Sequence, residues 1–366
     1  MVFMPVFCKI YIVAPFMVLC GALMLEIDSS KGEGGGQVVR SSVALSAITG
    51  IEAKLTRIRE NRPTNGLSKQ HCVAVSAVAD MTGSEVIGNH AGSRELLFRP
   101  GNTQKSDIVL DIGTAGSISL VLQAVMLAGR RHKETVRVDV RGGTNVMWAP
   151  PIDSYQQVLF PLMEKMGIRA RLEIIGRGFY PDGGRRVIAE MDPIGTISPL
   201  VIDDLGALKS IEGILYIQQL KDKIKDDMIS ACTEMLDMDC PVNIEVQRTA
   251  GNSKGAGLSL AAIYENGRLG SNVLTTKGHP AKQAGTDVAK DLLREMGSGA
   301  TIDVYIADQL LPYMAMASGP SEFTVARISR HILSQMDTLE TFLDVRFGVE
   351  RKGAVYNLTV DPGDGL

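Results

Sequence analysis

The sequence predicts an α/β (α+β) fold: a large domain of three βαβαββ units, with a smaller α/β domain inserted between the second and the third. Three observations carry this expectation. Residues 25–50 (LEIDSSKGEGGGQVVRSSVALSAITG), 108–129 (IVLDIGTAGSISLVLQAVMLAG) and 301–319 (TIDVYIADQLLPYMAMASG) follow one plan, a short β-run, a turn and a long apolar helix closed by glycine. Each is followed by a second helical stretch, at 66–83, 153–167 and 329–343, and then by strand-like text such as RARLEII and DVRFGVE. Self-similarity of this kind marks one supersecondary unit used repeatedly. The spacing is uneven, because the opening runs start near residues 25, 108 and 301. The surplus falls at 200–280, where a helix (KDKIKDDMISACTEMLDM) lies among strands (GILYIQQL, VNIEVQRT, GLSLAAIYENG). A loop of that length without structure is foreign to a compact domain.

The expected organisation is therefore an apolar extension at 1–23, units one and two at 24–199, the insert at 200–280, unit three at 281–350, and a tail or strand at 351–366. The extension has one charge, Lys9, and two prolines. Its apolar run falls short of the ~20 residues that span a bilayer, and it lacks the basic start of a signal peptide. Translation from Met24 is the expected reading, with a signal or anchor segment as the alternative. No membrane association is expected for the chain from Met24.

Composition narrows the function classes. With 366 residues, 45% hydrophobic and 22% charged, the chain has ample core for two or three domains, and wholesale disorder is excluded. Lys and Arg (38) do not outnumber Asp and Glu (41), so a protein-wide basic coat is excluded as well. Any contact with a polyanion must be local. Five cysteines without a C-x-x-C pair argue against a disulfide scaffold and against structural zinc, and fit a reducing cytoplasm.

Candidate chemistry is then read along the chain. The loop Gly32-Glu33-Gly34-Gly35-Gly36-Gln37 lies between a strand and a helix, where backbone N–H groups and the helix dipole favour an anion. Glu33 would repel a bare phosphate but suits a divalent cation shared with it. A plain glycine turn explains the same residues. Arg57, Arg59, Arg62 and Lys69 form the local basic cluster; charge runs are most often solvated, but paired arginines grip phosphate oxygens bidentately. The histidines at 71, 90, 132, 279 and 331 show no metal-binding spacing. His331 opens an amphipathic helix. A neutral imidazole is a competent nucleophile toward phosphorus, although by residue type alone a capping or surface histidine is commoner.

Taken in order, GEGGGQVVRSS, RIRENRPTNGLSKQH, DIGTAGSISLVLQ, VRGGTNVMWAPP, GFYPDGG and YIADQLLPYMAMASGPSEFTVARISRHIL resemble the RNA 3′-terminal phosphate cyclases, of the archaeal and bacterial true-cyclase type. The resemblance runs from about residue 25 to 350 and is weakest in the insert. It implies a βαβαββ fold, ATP and Mg²⁺ or Mn²⁺ as cofactors, and an RNA 3′-phosphate end, not DNA, as partner. It further implies that His331 becomes His-AMP, that AMP passes to the RNA phosphate, and that a 2′,3′-cyclic phosphate forms as AMP leaves. Carried over by position, Glu33 is the metal-binding carboxylate, and Asp308 lies near the metal or His331. Arg40, Arg59, Arg62, Gln70 and His71 contact nucleotide phosphates or the RNA end. Gln123 and Pro150 lie by the adenosine, and Tyr305 stacks on the base. Ile306 and Ala307 belong to the same nucleotide-binding run, and Gln309 lies near the ribose. Glu322 matches without an assigned role.

The chain departs from the family pattern in its extension, in one extra residue near Ser318-Gly319-Pro320, and in an insert without an assigned motif. Two other readings fit parts of the text. Non-catalytic cyclase-like proteins of ribosome assembly lose the histidine and several arginines, which are present here. Enolpyruvyl transferases use similar units but need about six.

Overall fold

A computed structural model describes residues 24–32 and 34–363. The expectations for residues 1–23, for Glu33 and for 364–366 lie outside the described residues. The α/β class holds, with four sheets among the described residues. None of the described helices is long and apolar enough to cross a membrane.

The first sheet has the order β1(Met24–Asp28), β2(Glu52–Thr56), β4(Leu96–Arg99), β3(Glu85–Ile87). The β1–β2 pair is parallel and the other pairs are antiparallel. Helices α1(Gly36–Thr49) and α2(Lys69–Thr82) make the crossovers, and both end on a left-handed glycine, Gly50 and Gly83. That conformation satisfies the last carbonyls at no Cβ cost. The second sheet, β5(Asp107–Asp111), β6(Val136–Gly142), β8(Arg185–Met191), β7(Ala170–Ile174), has the same order and the same pairing senses. Its first crossover is α3(Ile118–Ala128), capped by Ser117, whose Oγ accepts from Leu120 N–H at 3.2 Å. Its second is composite: α4(Ile152–Ser154), a π-helical turn at Tyr155–Leu159, and α5(Phe160–Lys165).

A further sheet orders as β10(Val242–Thr249), β9(Leu208–Gln218), β11(Gly255–Tyr264), β12(Arg268–Leu274), with α6(Asp222–Met235) and α7(Ala281–Ser298) packed together against it. Ile211, Leu215, Met228, Leu258, Val288 and Leu292 belong to its own core. The insert boundary at 280 therefore moves. Helix α7 buries Ala284, Val288 and Leu292 in this second core, so the unit extends through residue 298.

The last sheet is β13(Ser321–Val325), β15(Val355–Pro362), β14(Val345–Lys352), with α8(Val304–Met314) before it and α9(Arg330–Phe342) within it. One expectation is corrected here. No strand forms at 301–303; Asp303 instead caps α8 by accepting from Tyr305 and Ile306 N–H at 3.0 Å each. The place of an opening strand is taken by a single parallel bridge, Val201 to Glu322, with Ile202 N–H donating to Glu322 O and Glu322 N–H to Leu200 O, both at 3.0 Å. The bridge thus brings residues 200–202 against the start of β13, with residues 208–298 lying between them in the sequence. Of the two readings of the C-terminal segment, strand is the one that forms: β15 is the middle strand of this sheet.

Helix α1 joins these parts, packing on α2, α3 and α9 with Val39, Val43, Ala44 and Leu45 fully buried. That burial on several sides explains its weak amphipathicity. In the insert, α6 and α7 approach at Gly285, where an added Cβ would lie 2.2 Å from Met228 O. We predict that Gly285→Ala destabilises the protein by about 1–3 kcal/mol through overpacking. Urea unfolding followed by circular dichroism checks this; an unchanged midpoint would show that the helices can separate.

Candidate active site

Four helices of distant sequence bring the candidate residues together. His331 occupies the second position of α9, whose cap Ser329 accepts from Ile332 N–H at 3.1 Å. Gln37 and Arg40 are one turn apart on α1 and nearly buried. Asp308 comes from α8 and Gln123 from α3. Gln37 Nε2 donates to Asp308 Oδ2 at 2.7 Å, and Gln37 Oε1 lies 3.0 Å from His331 Nδ1. The amide has one donating and one accepting end. With its NH₂ on the carboxylate, its oxygen takes the proton of Nδ1, and in the neutral ring this puts the lone pair on Nε2. Beside this chain, Arg40 donates through Nε and Nη2 to Gln123 Oε1 at 3.1 and 2.9 Å.

The electrostatics follow from burial. Desolvation, then the charges of Arg40 and Arg62, hold the His331 imidazole below its ordinary value, so the neutral ring dominates near pH 7. Burial pushes Asp308 up to about 7 against the pull of Arg40. Burial likewise brings Arg40 down to about 10. A buried carboxylate short of compensating charge fits a hard divalent cation, which would relieve it. Among the described residues no group of three His, Cys, Asp or Glu side chains could hold a metal. Glu33, the other expected ligand, lies outside them.

The remaining candidates divide. Arg59, at φ +53°, donates through Nη1 to Gly66 O at 2.9 Å and is half-buried, and the half-buried Arg62 acts on His331 through its charge. Arg57 is exposed and paired with Asp28. Gln70 Oε1 accepts from Ser117 N–H at 2.9 Å, joining α2 to the start of α3. Pro150 O accepts from Ser119 Oγ at 2.6 Å, which seats the 144–151 loop on α3. Tyr305 is half exposed, with the Arg327 guanidinium 5.8 Å from its ring centroid. Gln309 is buried and donates to Tyr305 O at 3.0 Å.

Other residues have different work. His71 is 4% exposed and closes a capping box with Ser68: its Nδ1 accepts from Ser68 N–H at 3.2 Å. Its Nε2 would sit 2.0 Å from a Cβ at Gly36, so the ring packs against the start of α1. Burial, then Arg40 and Arg59, push it down to about 3. In this structure the recorded hydrogen-bond partner of His71 is Ser68, which gives the ring a part in positioning the start of α2. Ile306 and Ala307 turn into the core. Glu322 accepts from Asn357 Nδ2 at 2.8 Å and pairs with Lys352 at 3.6 Å. The loop change at 318–320 leaves His331 within hydrogen-bond reach of α1.

Sequence reasoning missed three groups. Gln37 stood in a quoted motif, and its spacing of three from Arg40 was the available signal. Asp303, pushed up to about 7 by burial, also accepts from Gly270 N–H at 3.0 Å and so ties β12 of the insert to α8. Arg177 and Asp153, fully buried and paired at 2.6 Å, carried no signal.

The fold and site together define an α/β protein in which an imidazole, two amides, a carboxylate and a buried guanidinium converge from four helices. Its relatives are specific. The family model described as RNA 3′-terminal phosphate cyclase matches residues 31–349. The RNA 3′-terminal phosphate cyclase of Nitrosospira multiformis is 39% identical over 342 residues, covering 93% of this chain and 97% of that protein. Those of Methanopyrus kandleri (37% over 337 residues; 90% and 96%) and Pyrococcus furiosus (36% over 337 residues; 91% and 98%) are similar to it as well. The chain belongs to the RNA 3′-terminal phosphate cyclase family. The enolpyruvyl transferase NikO from Streptomyces tendae aligns at 11% identity with a TM-score of 0.27, over 94% of this chain and 67% of that one, which bears no argument.

Because the positive charge of Arg62 lowers the His331 value, Arg62→Gln should raise it toward the unperturbed 6.5. An NMR pH titration of the His331 ring proton checks this, and a downward move would contradict the sign.

Proposed function

We propose that this protein is an enzyme that converts an RNA 3′-phosphate to a 2′,3′-cyclic phosphodiester with ATP, through a covalent His331–AMP. The observation that carries the reading is the chain His331–Gln37–Asp308 beside buried Arg40. In the first step Nε2 bonds to the α-phosphorus of ATP and pyrophosphate leaves. In the second an oxygen of the RNA 3′-phosphate takes the adenylyl group and releases the imidazole. In the third the adjacent 2′-oxygen bonds to the phosphorus of the RNA 3′-phosphate, its proton is lost, and the bond from that phosphorus to the oxygen shared with AMP breaks, so that AMP departs.

The protein's own groups have definite parts in this. Gln37 holds the ring tautomer that presents a lone pair. Arg40, Arg59 and Arg62 meet the phosphate charge, a contribution that charge-assisted bonds make in a partly dry site. Gln123 and Pro150 line the adenosine, Tyr305 stacks on the base and Gln309 faces the ribose. Glu33 and Asp308 would hold Mg²⁺ or Mn²⁺, whose chemistry is to neutralise triphosphate charge. The free thiols Cys72, Cys232 and Cys240 agree with a cytoplasmic location.

Incubation with α-labelled ATP and Mg²⁺ or Mn²⁺ tests the reading. The wild type should give an acid-labile, alkali-stable label that His331→Asn abolishes. Label in neither folded protein would favour a non-catalytic RNA-binding role. Gln37→Met, nearly isosteric but without the amide, should slow labelling by on the order of 10²-fold. Full rate in that variant would remove Gln37 from the mechanism.

A further inference from the structure

Apart from Pro150, the motifs RGGTNVMWAPP at 141–151 and GFYPDGG at 178–184 supply no residue to this site. They fold as two loops at one end of the second sheet and are tied to each other. Thr144 N–H donates to Gly178 O at 3.0 Å, and Gly178 N–H returns a bond to Thr144 Oγ1 at 3.1 Å. Glycine allows the close fit: a Cβ at Gly178 would lie 2.4 Å from Gly142 O, and one at Gly183, where φ is +60°, 2.5 Å from Ala115 Cα.

The support beneath them is buried. Arg177 pairs with Asp153, donates to Gln247 Oε1 of β10 at 2.6 Å and stands 4.6 Å from the Tyr216 ring centroid. Phe179 is buried against Tyr216 at 5.9 Å, and Asp182 Oδ2 accepts from Ser253 Oγ at 2.8 Å. The loops are thus clamped between the second sheet and the insert.

From this clamped base each loop puts an aromatic ring into solvent. Trp148 is 94% exposed and Tyr180 78% exposed. Trp148 also has φ +66°, a left-handed conformation costly for a bulky residue. Arg141, at the start of the first loop, and Lys254, next in sequence to Ser253, are exposed, and Arg185, at the end of the second loop, is half-buried. The first loop reaches the candidate active site within two residues, at Pro150, whose Ser119 contact lies one turn from Gln123 on α3.

We propose that Trp148 and Tyr180 form a stacking platform for the single-stranded bases on the 5′ side of the reacting RNA phosphate. The inference rests on the RNA-end reading. Base faces of any sequence stack on such rings, and nearby cations follow the backbone. A local platform also suits a chain of net charge −3, which lacks a general basic surface. The ATP base is already provided with Tyr305 and Pro150, whereas the Tyr180 loop is tied to the third sheet's region through Phe179–Tyr216 and Asp182–Ser253.

Trp148 is the single tryptophan, so its emission reports on the platform directly. The full chain is titrated with a 3′-phosphorylated single-stranded RNA hexamer, with a blunt duplex of the same sequence, and with ATP alone. The hexamer should quench the emission, and the duplex and ATP should not. With a fluorescein-labelled hexamer read by anisotropy, which needs no tryptophan, Trp148→Ala and Tyr180→Ala should each weaken binding on the order of tenfold, with Trp148→Phe restoring it. The loss should fall on RNA affinity and not on the rate of labelling by ATP, in which RNA takes no part. Quenching by ATP alone, emission that changes with protein concentration alone, or unchanged hexamer affinity in both alanine variants would overturn the proposal. A wild type that binds the hexamer at Trp148 but takes no label would sink the His331–AMP reading and leave the platform standing.

Discussion

The side-chain amide of Gln37 is the joint on which the site depends. One end meets α8 through Asp308 and the other meets α9 through His331, while its own helix packs on α2, α3 and α9. An amide is suited to this position because it carries a donor and an acceptor on one planar group. A carboxylate there would face Asp308 with like charge, and a lysine ammonium could not accept from the imidazole. The two hydrogen bonds therefore fix more than distance: they set the direction of the proton on a ring whose neutral state is favoured by burial and by two arginines.

The insert is coupled to the same place by polar contacts. Gly270 of β12 donates to Asp303 at the start of α8, and Gln247 of β10 meets Arg177 beneath the 178–184 loop. Buried charges of this kind contribute little net stability but are costly to leave unpaired, so they specify how two packed bodies meet. The second core thus reaches the site through α8 on one side and through the aromatic loops on the other.

What the sequence makes legible follows physical range. The α/β class is readable because strand and helix text alternates with clear turn residues. His331, Arg40 and Asp308 are readable through ordered motifs, and the structure brings them together at α1. The opening strand at 301–303 misleads because Thr301, Ile302 and Asp303 have β-like text, whereas Asp303 is taken by the α8 cap. The insert boundary misleads because the amphipathic pattern of α7 does not say which sheet it covers. His71 has the residue type of a ligand, and only tertiary burial against Gly36 reveals its work as a cap. Arg177 and Asp153 are invisible for the same reason: a buried pair looks in the sequence like two surface charges.

The place of β15 has a consequence for synthesis. Strands β13 and β14 flank α9 in the sequence but do not pair with each other; both pair with β15, which is made after them. A nascent chain that has already emitted His331 has no finished sheet on which to seat its helix. The helix that carries His331 and its support come into register only when residues 355–362 have left the ribosome. A ribosome stalled upstream of these residues would therefore release a chain that contains every candidate site residue but lacks the arrangement that joins them.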